Sequence, residues 1–283
     1  MRNRCLNSIR NVNVLGTKRV LEFAANVKTK HVFYASSSVI ATTFNVEDGS
    51  LSENWQDDNA IDTLSYNNGY IISKFISEQL VKKAWSRGLP CKSLRFGLVA
   101  GDGITGELDI LSSHYMIRLL AFLKLGCMSD IPMPALLITP NACSEALVRI
   151  CFNEKVPHGV YNVIPSRPQL EQVFVTVAEE IGVQVELVSL SDFLQRMRME
   201  RDDSPIAPLK RIYTEDGTTL VEIARKISSI QKWMDDSTPD FFVSKKLTEF
   251  LPGFLDAMET TIDIMRRDIR FAKKSGAFEM IGI

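Results

Sequence analysis

This chain of 283 residues has few cysteines, few histidines and almost no net charge. Its five cysteines are odd in number and include no C-x-x-C pair, and its three histidines stand far apart in the chain. This pattern gives no disulfide framework and no zinc spacing, so it predicts a reducing, cytoplasmic setting without a metal site. The net charge of −1 predicts no general attraction to nucleic acid or to an anionic membrane.

Long apolar runs are missing as well. The most apolar stretch near the middle, MIRLLAFLKLGCM, is interrupted by Arg118 and Lys124, too soon for a membrane-spanning helix. The N-terminus has basic residues but not the apolar run of a secretory signal. The composition, 45% hydrophobic and 24% charged, is that of a globular protein with enough residues to build a substantial core.

The first half of the chain alternates between helical and strand-like segments. The segment VLGTKRVLEFAANVKTK has the apolar spacing of a helix, and the β-rich run HVFYASSSVI follows it. After a polar, acidic loop, a helix opens near Tyr70, continues to about Trp85 and ends at Gly88 and Pro90. The next strand is CKSLRFGLVAG. This order predicts an α/β fold, a Rossmann-like, doubly wound parallel sheet with helices on both faces.

Beyond Gly106 we expect a mainly helical region, with strand-like runs at 159–164 and after Gly182. The segment DDSPIAPLKR is interpreted as a loop because of its two prolines, and MRRDIRFAKK as a solvated basic helix face. The predicted division is a sheet-containing domain at 1–164 and a helical, substrate-side C-terminal region at 165–283.

Polar residues and glycines stand where the predicted strands end. Ser36, Ser37 and Ser38 follow one strand, the glycine-containing run 97–101 follows another, and Tyr70 opens the helix between them. Because ligands bind at the carboxyl ends of the strands of such a sheet, these groups are expected on one rim.

The residue types on this rim suit carbonyl reduction. A tyrosine hydroxyl titrates near pH 10, and a lysine ammonium one turn away, here Lys74 beside Tyr70, lowers that value by favouring the phenolate. A serine hydroxyl adds a second hydrogen bond to the developing oxyanion. The alternatives are a surface Tyr–Lys pair and a serine turn at a strand end. Glu53 and Glu78 are interpreted as solvated, and the histidines as satisfied core or loop residues.

These segments also resemble a known family. YASSS, GYIISK and LRFGLVAGDGITG, in that order, look like the extended short-chain dehydrogenase/reductase superfamily. More narrowly, NVNVLGTKRVLEFA, GYIISKFISEQLVKKAWSRGLP, LRFGLVAGDGITGELD and LLITP are similar to thioester reductase domains. Such domains end nonribosomal peptide synthetases, aminoadipate reductases and carboxylic acid reductases. The resemblance runs from about Ser8 to about Ile164.

The resemblance implies NADPH-dependent reduction of an acyl thioester to an aldehyde or alcohol. The thioester would be carried on the phosphopantetheine arm of an acyl or peptidyl carrier protein. By position, Ser37, Tyr70 and Lys74 match the catalytic residues of the family, and residues 1–164 become an NAD(P)-binding reductase domain. The implied cofactor-binding residues are Asn13, Ser36, Tyr70, Lys74, Arg95, Phe96, Gly97 and Leu98.

Two departures from the family pattern leave alternatives open. The element TPVD reads TPNA here, with Ala142 in place of the acid, and no G-x-x-G-x-x-G turn for a pyrophosphate occurs. We therefore expect an N-terminally truncated domain whose first strands are missing and whose serine strand is an open sheet edge. The alternatives are a non-catalytic remnant or carrier-binding scaffold, and another extended reductase such as a nucleotide-sugar epimerase or a fatty acyl reductase.

Overall fold

A computed structural model describes residues 9–44, 51–63, 69–166, 168–214 and 244–283. Its strands are β1 Val32–Ser37, β2 Cys91–Phe96, β3 Leu98–Val99, β4 Cys127–Ser129, β5 Leu137–Ile138, β6 Gly159–Val163 and β7 Glu186–Val188. Its α-helices are α1 Gly16–Ala25, α2 Ser38–Phe44, α3 Gly69–Ser86, α4 His114–Leu125, α5 Pro140–Cys151, α6 Phe174–Glu180, α7 Leu190–Met199, α8 Ala207–Thr214, α9 Lys245–Phe250, α10 Thr261–Lys274 and α11 Ala277–Ile281.

Three of the strands form a parallel sheet in the order β1–β2–β6. Ser37 at the end of β1 is aligned with Phe96 at the end of β2, and Phe96 with Val163 of β6. The carboxyl ends of the strands therefore share one rim. The predicted α/β fold with a Rossmann-like parallel sheet is confirmed.

Helices cover both faces of this sheet, and the alternation of side chains along β2 shows how. Leu94 packs with apolar residues of α5 and α9 on one face. Ser93 and Arg95 point to the other face, where both contact Glu78 of α3. Because β2 is covered on both sides, all but its last residue is buried, as a central parallel strand requires.

The outer edge of β1 has no strand partner among the described residues, in agreement with the predicted open edge. Ala35, near the end of β1, is exposed. Next to the sheet, Leu21 and Ala24 of α1 pack on Val81 of α3 and Val32 of β1. The inner face of α1 is thus buried, while Val20 and Phe23 on its outer face are exposed.

The second half is mainly helical, as predicted. It encloses a core to which α4, α6, α7, α10 and α11 contribute, and it carries two small parallel sheets, β3–β5 and β4–β7. No described helix has the length and apolar character needed to cross a membrane.

One prediction for the second half is wrong. The supposed loop DDSPIAPLKR contains the start of α8 at Ala207, because Pro208 lies in the first helical turn, where its missing N–H is not needed. The basic stretch MRRDIRFAKK lies in α10. Its residues Arg270, Lys273 and Lys274 are exposed, as predicted, while Met265, Asp268 and Ile269 are fully buried on the other side of the helix.

Candidate active site

Lys74 of α3 is anchored to the end of β1. Its ammonium nitrogen donates a hydrogen bond to the carbonyl oxygen of Ala35, over 2.9 Å. The ammonium also lies 5.3 Å from the centre of the Tyr34 ring, within the range of a cation–π interaction. The first turns of α3 are therefore held beside the rim where β1 and β2 end.

The surroundings of Lys74 act on its charge in opposite directions. Burial lowers the pKa of Lys74, because the ammonium loses part of its hydration, and the carboxylate of Glu78 one helical turn later raises it. The result is a half-buried ammonium with a lowered pKa, which is the kind of group that tunes a neighbouring phenol.

Tyr70 is the second residue of α3 and is half-buried. Its backbone carbonyl accepts a hydrogen bond from the Ser73 hydroxyl at 2.8 Å, which stabilises the first turn of the helix. Tyr70 lies close enough to Tyr34 to influence the titration of that phenol. Tyr70, Lys74 and Tyr34 thus belong to one neighbourhood.

The two serines predicted for the site have different environments. Ser36 is only 6% exposed, and its hydroxyl donates to Glu78 at 2.5 Å. Ser37 is half-buried at the last position of β1, and its hydroxyl accepts a long bond, 3.4 Å, from the backbone of Val39. Ser36 is thus committed to an internal network, and Ser37 is the serine better placed to meet a ligand at the rim.

Arg95 and Glu78 form a buried ion pair between β2 and α3. Arg95 is 0% exposed, and its guanidinium also donates to the carbonyl oxygens of Ser52 at 3.0 Å and Asn54 at 3.1 Å. The prediction of a solvated Glu78 is wrong, because this carboxylate is 2% exposed. The Arg95 side chain points into this network, so only its backbone is left to border a cofactor.

The residues after Arg95 extend the strand ladder. The Gly97 nitrogen donates to the Val163 carbonyl at 3.0 Å, and the Leu98 nitrogen to the Leu136 carbonyl at 2.7 Å. A β-carbon at Gly97 would collide with the Leu136 carbonyl oxygen. Phe96 is half-buried and packs against the core that contains Leu94. Glycine at position 97 is therefore required by the close approach of two backbones.

Asn13 is bound to the helix that carries Tyr70 and Lys74. Its side-chain amide donates a hydrogen bond to the Ser73 hydroxyl at 2.9 Å, and its backbone carbonyl oxygen accepts one from the Ser77 hydroxyl, also at 2.9 Å. Asn13 lies in a π-helical turn, Asn11–Leu15, a feature often found at functional sites. Among the described residues its other side-chain hydrogen-bond partner is the Thr17 hydroxyl of α1, so its influence on the rim runs through α3.

Glu53, also predicted to be solvated, is buried instead. Its carboxylate accepts hydrogen bonds from the Ser244 hydroxyl, from the Asn162 backbone at 2.9 Å and from the Lys246 backbone at 2.8 Å. This carboxylate ties the loop after α2 to β6 and to the start of α9. The sequence offered no signal for it, since its partners lie more than a hundred residues away.

The altered TPNA element has a structural role. Thr139 caps α5 by accepting a bond from the Ala142 nitrogen at 3.2 Å. The neighbouring Asn141 accepts a bond from the backbone of Gly103 at 2.6 Å. The element therefore fastens the GDGITG turn, even though Ala142 replaces the acid of the family pattern.

The histidines do not form a metal site in the described part of the chain. His31 and His158, far apart in sequence, have ring centres 5.6 Å apart. Among the described residues there is no group of three or more potential metal ligands.

Comparisons with known proteins agree with this architecture. A family model described as male sterility protein, an NAD-binding family, matches residues 2–142. A nonribosomal peptide synthetase of Aspergillus flavus is 26% identical over 223 residues, which is 73% of this chain and 21% of that protein. The L-2-aminoadipate reductase large subunit of Eremothecium gossypii is 25% identical over 74% of this chain and 16% of that protein.

A solved structure shares the fold at low sequence identity. The terminal R domain from the myxalamid PKS-NRPS biosynthetic pathway has a TM-score of 0.73 and 17% identity, over 98% of this chain and 66% of that chain. The chain spans about a fifth or less of the length of the two curated relatives named above.

Proposed function

We propose that this chain, which belongs to the thioester reductase domains of the extended short-chain dehydrogenase/reductase superfamily, reduces a carrier-bound acyl thioester with a nicotinamide cofactor. The observation that carries the proposal is the placement of Lys74. A half-buried ammonium, bound to the end of β1 and one turn after Tyr70, is what a tyrosine needs to act on a carbonyl near neutral pH.

The residues of the rim fit a nicotinamide end. An ammonium carries three hydrogen-bond donors, so the bond from Lys74 to Ala35 leaves up to two for ribose hydroxyls. When bound, the nicotinamide supplies the hydride. Tyr70 donates a hydrogen bond, and then its proton, to the carbonyl oxygen of the substrate. Lys74 stabilises the phenolate that results, and Ser37 holds the same oxygen through a second hydrogen bond.

In sum, the thioester takes up one hydride and one proton and yields an aldehyde and the free thiol of the phosphopantetheine arm. NADPH as the donor and an acyl or peptidyl carrier protein as the partner follow from the family resemblance. A cytoplasmic location belongs to the same proposal, supported by the four described cysteines, all of which are free thiols.

The test is NADPH oxidation by the purified chain in the presence of an acyl-phosphopantetheine thioester. The variant Tyr70→Phe removes the proton donor, and we expect kcat to fall by about a hundredfold to ten-thousandfold. The control is Tyr161→Phe, which loses a hydrogen bond to the Pro157 carbonyl inside the fold, away from the rim. Full activity in the Tyr70 variant, or no activity in a folded wild type, contradicts the proposal.

The open outer edge of β1 favours a second candidate, a non-catalytic role in which the chain binds a carrier protein. Binding of a carrier protein by a chain that neither binds nor oxidises NADPH would select this candidate over the first.

A further inference from the structure

Tyr34 lies on β1, on the face that meets α3. It is half-buried, and its ring packs beside the cluster that contains Leu21, Val81 and Cys91. Its hydroxyl lies close enough to Ser77 of α3 and Thr17 of α1 for both side chains to act on the pKa of Tyr34. The tip of the ring therefore faces two helices.

The face of the same ring lies under Lys74. The ammonium nitrogen is 5.3 Å from the ring centre, and the carbonyl oxygen of the next residue, Ala35, accepts its hydrogen bond. Ring and carbonyl come from adjacent residues of β1. Together they form a socket, defined by Tyr34 and Ala35, that fixes where the ammonium sits.

We infer that Tyr34 is a positioning residue, which holds Lys74 in reach of Tyr70 through its ring rather than its hydroxyl. The inference rests on the proposed reduction. A cation over an aromatic face is attracted by the ring quadrupole, and more strongly where water is excluded. The Ala35 carbonyl is present whatever side chain stands at position 35, so Tyr34 is the part of the socket that the sequence specifies.

The charged and titratable groups around the socket favour the same state. Burial raises the pKa of Tyr34, so the ring stays a neutral phenol at any ordinary pH. Glu78 on α3 faces both Lys74 and Tyr34, and Arg95 of β2 and Ser36 of β1 hold it in place. A neutral ring and a fixed carboxylate both favour a charged Lys74.

The first experiment measures Lys74 itself, without any need for reductase activity. Competitive labelling with acetic anhydride across a pH series gives the midpoint at which Lys74 loses its proton, with the labelled peptide identified by mass spectrometry. In Tyr34→Leu the ring is lost, so we expect the midpoint to move to lower pH. In Tyr34→Phe the ring remains, so the midpoint should stay at the wild-type value.

A matched control exists on β6. Lys246 lies 5.7 Å from the ring centre of Tyr161, so Tyr161→Leu removes an equivalent pair elsewhere in the fold and should leave the Lys74 midpoint unchanged. An unchanged or higher midpoint in Tyr34→Leu overturns the inference. This result is independent of turnover, so it separates a failure of the inference from a failure of the proposed function.

The second experiment follows turnover in the same variants. A misplaced ammonium affects the chemical step, so Tyr34→Leu should lower kcat by about threefold to thirtyfold and leave KM for the thioester nearly unchanged. Tyr34→Phe should keep kcat, because the ring that faces Lys74 remains. Equal losses of kcat in both variants would assign the effect to the hydroxyl and overturn the role of the ring.

Discussion

At the scale of single residues, the buried pair of Arg95 and Glu78 ties the sheet to the helix of the candidate site. Both side chains are almost completely buried, and Glu78 also accepts hydrogen bonds from Ser36 and Ser93. From the sequence alone, Glu78 is interpreted as solvated. Its burial follows from the long-range packing of α3 on β2, which brings the charge of Arg95 to it and which no local pattern encodes.

Removing one charge of the Arg95–Glu78 pair should strongly destabilise the folded chain. The variant Glu78→Gln leaves the Arg95 guanidinium buried without its counter-charge, and we expect the free energy of unfolding to fall by about 3 to 5 kcal/mol. The control is Glu22→Gln, which breaks an exposed pair with Lys18 and should cost about 0.5 kcal/mol or less. Urea unfolding measures both, and equal losses would contradict a buried charge pair.

Asp268 gives a prediction for the pH dependence of stability. The carboxylate is fully buried and accepts a bond from the Gly101 nitrogen at 2.8 Å, and burial raises its pKa to about 6. The unfolded chain releases this proton near pH 4, so between about pH 4 and about pH 6 only the folded state holds it. Stability from this group is therefore present at low pH and is lost as the pH rises through about 6.

The variant Asp268→Asn should remove that dependence. Between about pH 4 and about pH 6 the free energy of unfolding of the wild type should fall by about 3 kcal/mol more than that of the variant. Asp263 on the same helix is a control whose pKa is shifted in the opposite direction. Hydrogen bonds from Thr260 and Arg266 lower the pKa of Asp263, whereas burial raises that of Asp268. Denaturant unfolding across the pH series measures the slopes. Parallel curves for the wild type and the Asp268 variant would rule out a raised pKa.

At the scale of elements, the bounds of a helix are predictable from the sequence where local chemistry decides them. The helix predicted from Tyr70 to about Trp85 is α3, Gly69–Ser86, because Gly88 and Pro90 end it within the local sequence. The start of α8 was missed because its two prolines suggested a loop. The partner of Asp268 on the buried side of α10 could not be predicted, because Gly101 lies 167 residues away in the chain.

The GDGITG turn has no room for a β-carbon at Gly101. A β-carbon at Gly101 would collide with the Gly106 carbonyl oxygen and approach the Asp268 carboxylate to 2.7 Å, so Gly101→Ala should lower the free energy of unfolding by about 2 kcal/mol or more. Gly16, inside α1, has its nearest neighbour at 3.8 Å. There Gly16→Ala should stabilise by about 0.5 to 1 kcal/mol. Thermal unfolding compares the two variants, and the same sign for both would contradict this packing.

At the scale of the molecule, the sheet, its two helical faces and the shared rim were predictable from the alternation of segments. The serine strand comes first, the Tyr70 helix second and the strand that ends in glycines third. This order was enough to predict that their ends meet at one edge of the sheet. The interior of the site could not be predicted from the sequence. There Asn13, in the turn before α1, is hydrogen-bonded to Ser73 and Ser77 of α3, and this depends on how that turn packs on the helix.

The most direct test of the account is calorimetric titration of NADPH into the purified 283-residue chain. The account predicts micromolar binding that is lost in Lys74→Ala, because that ammonium is the group assigned to the nicotinamide ribose. Lys83→Ala, an exposed position on the same helix, should bind as the wild type does. No binding by a folded wild-type chain, or equal binding by all three proteins, would contradict a cofactor site at the end of β1.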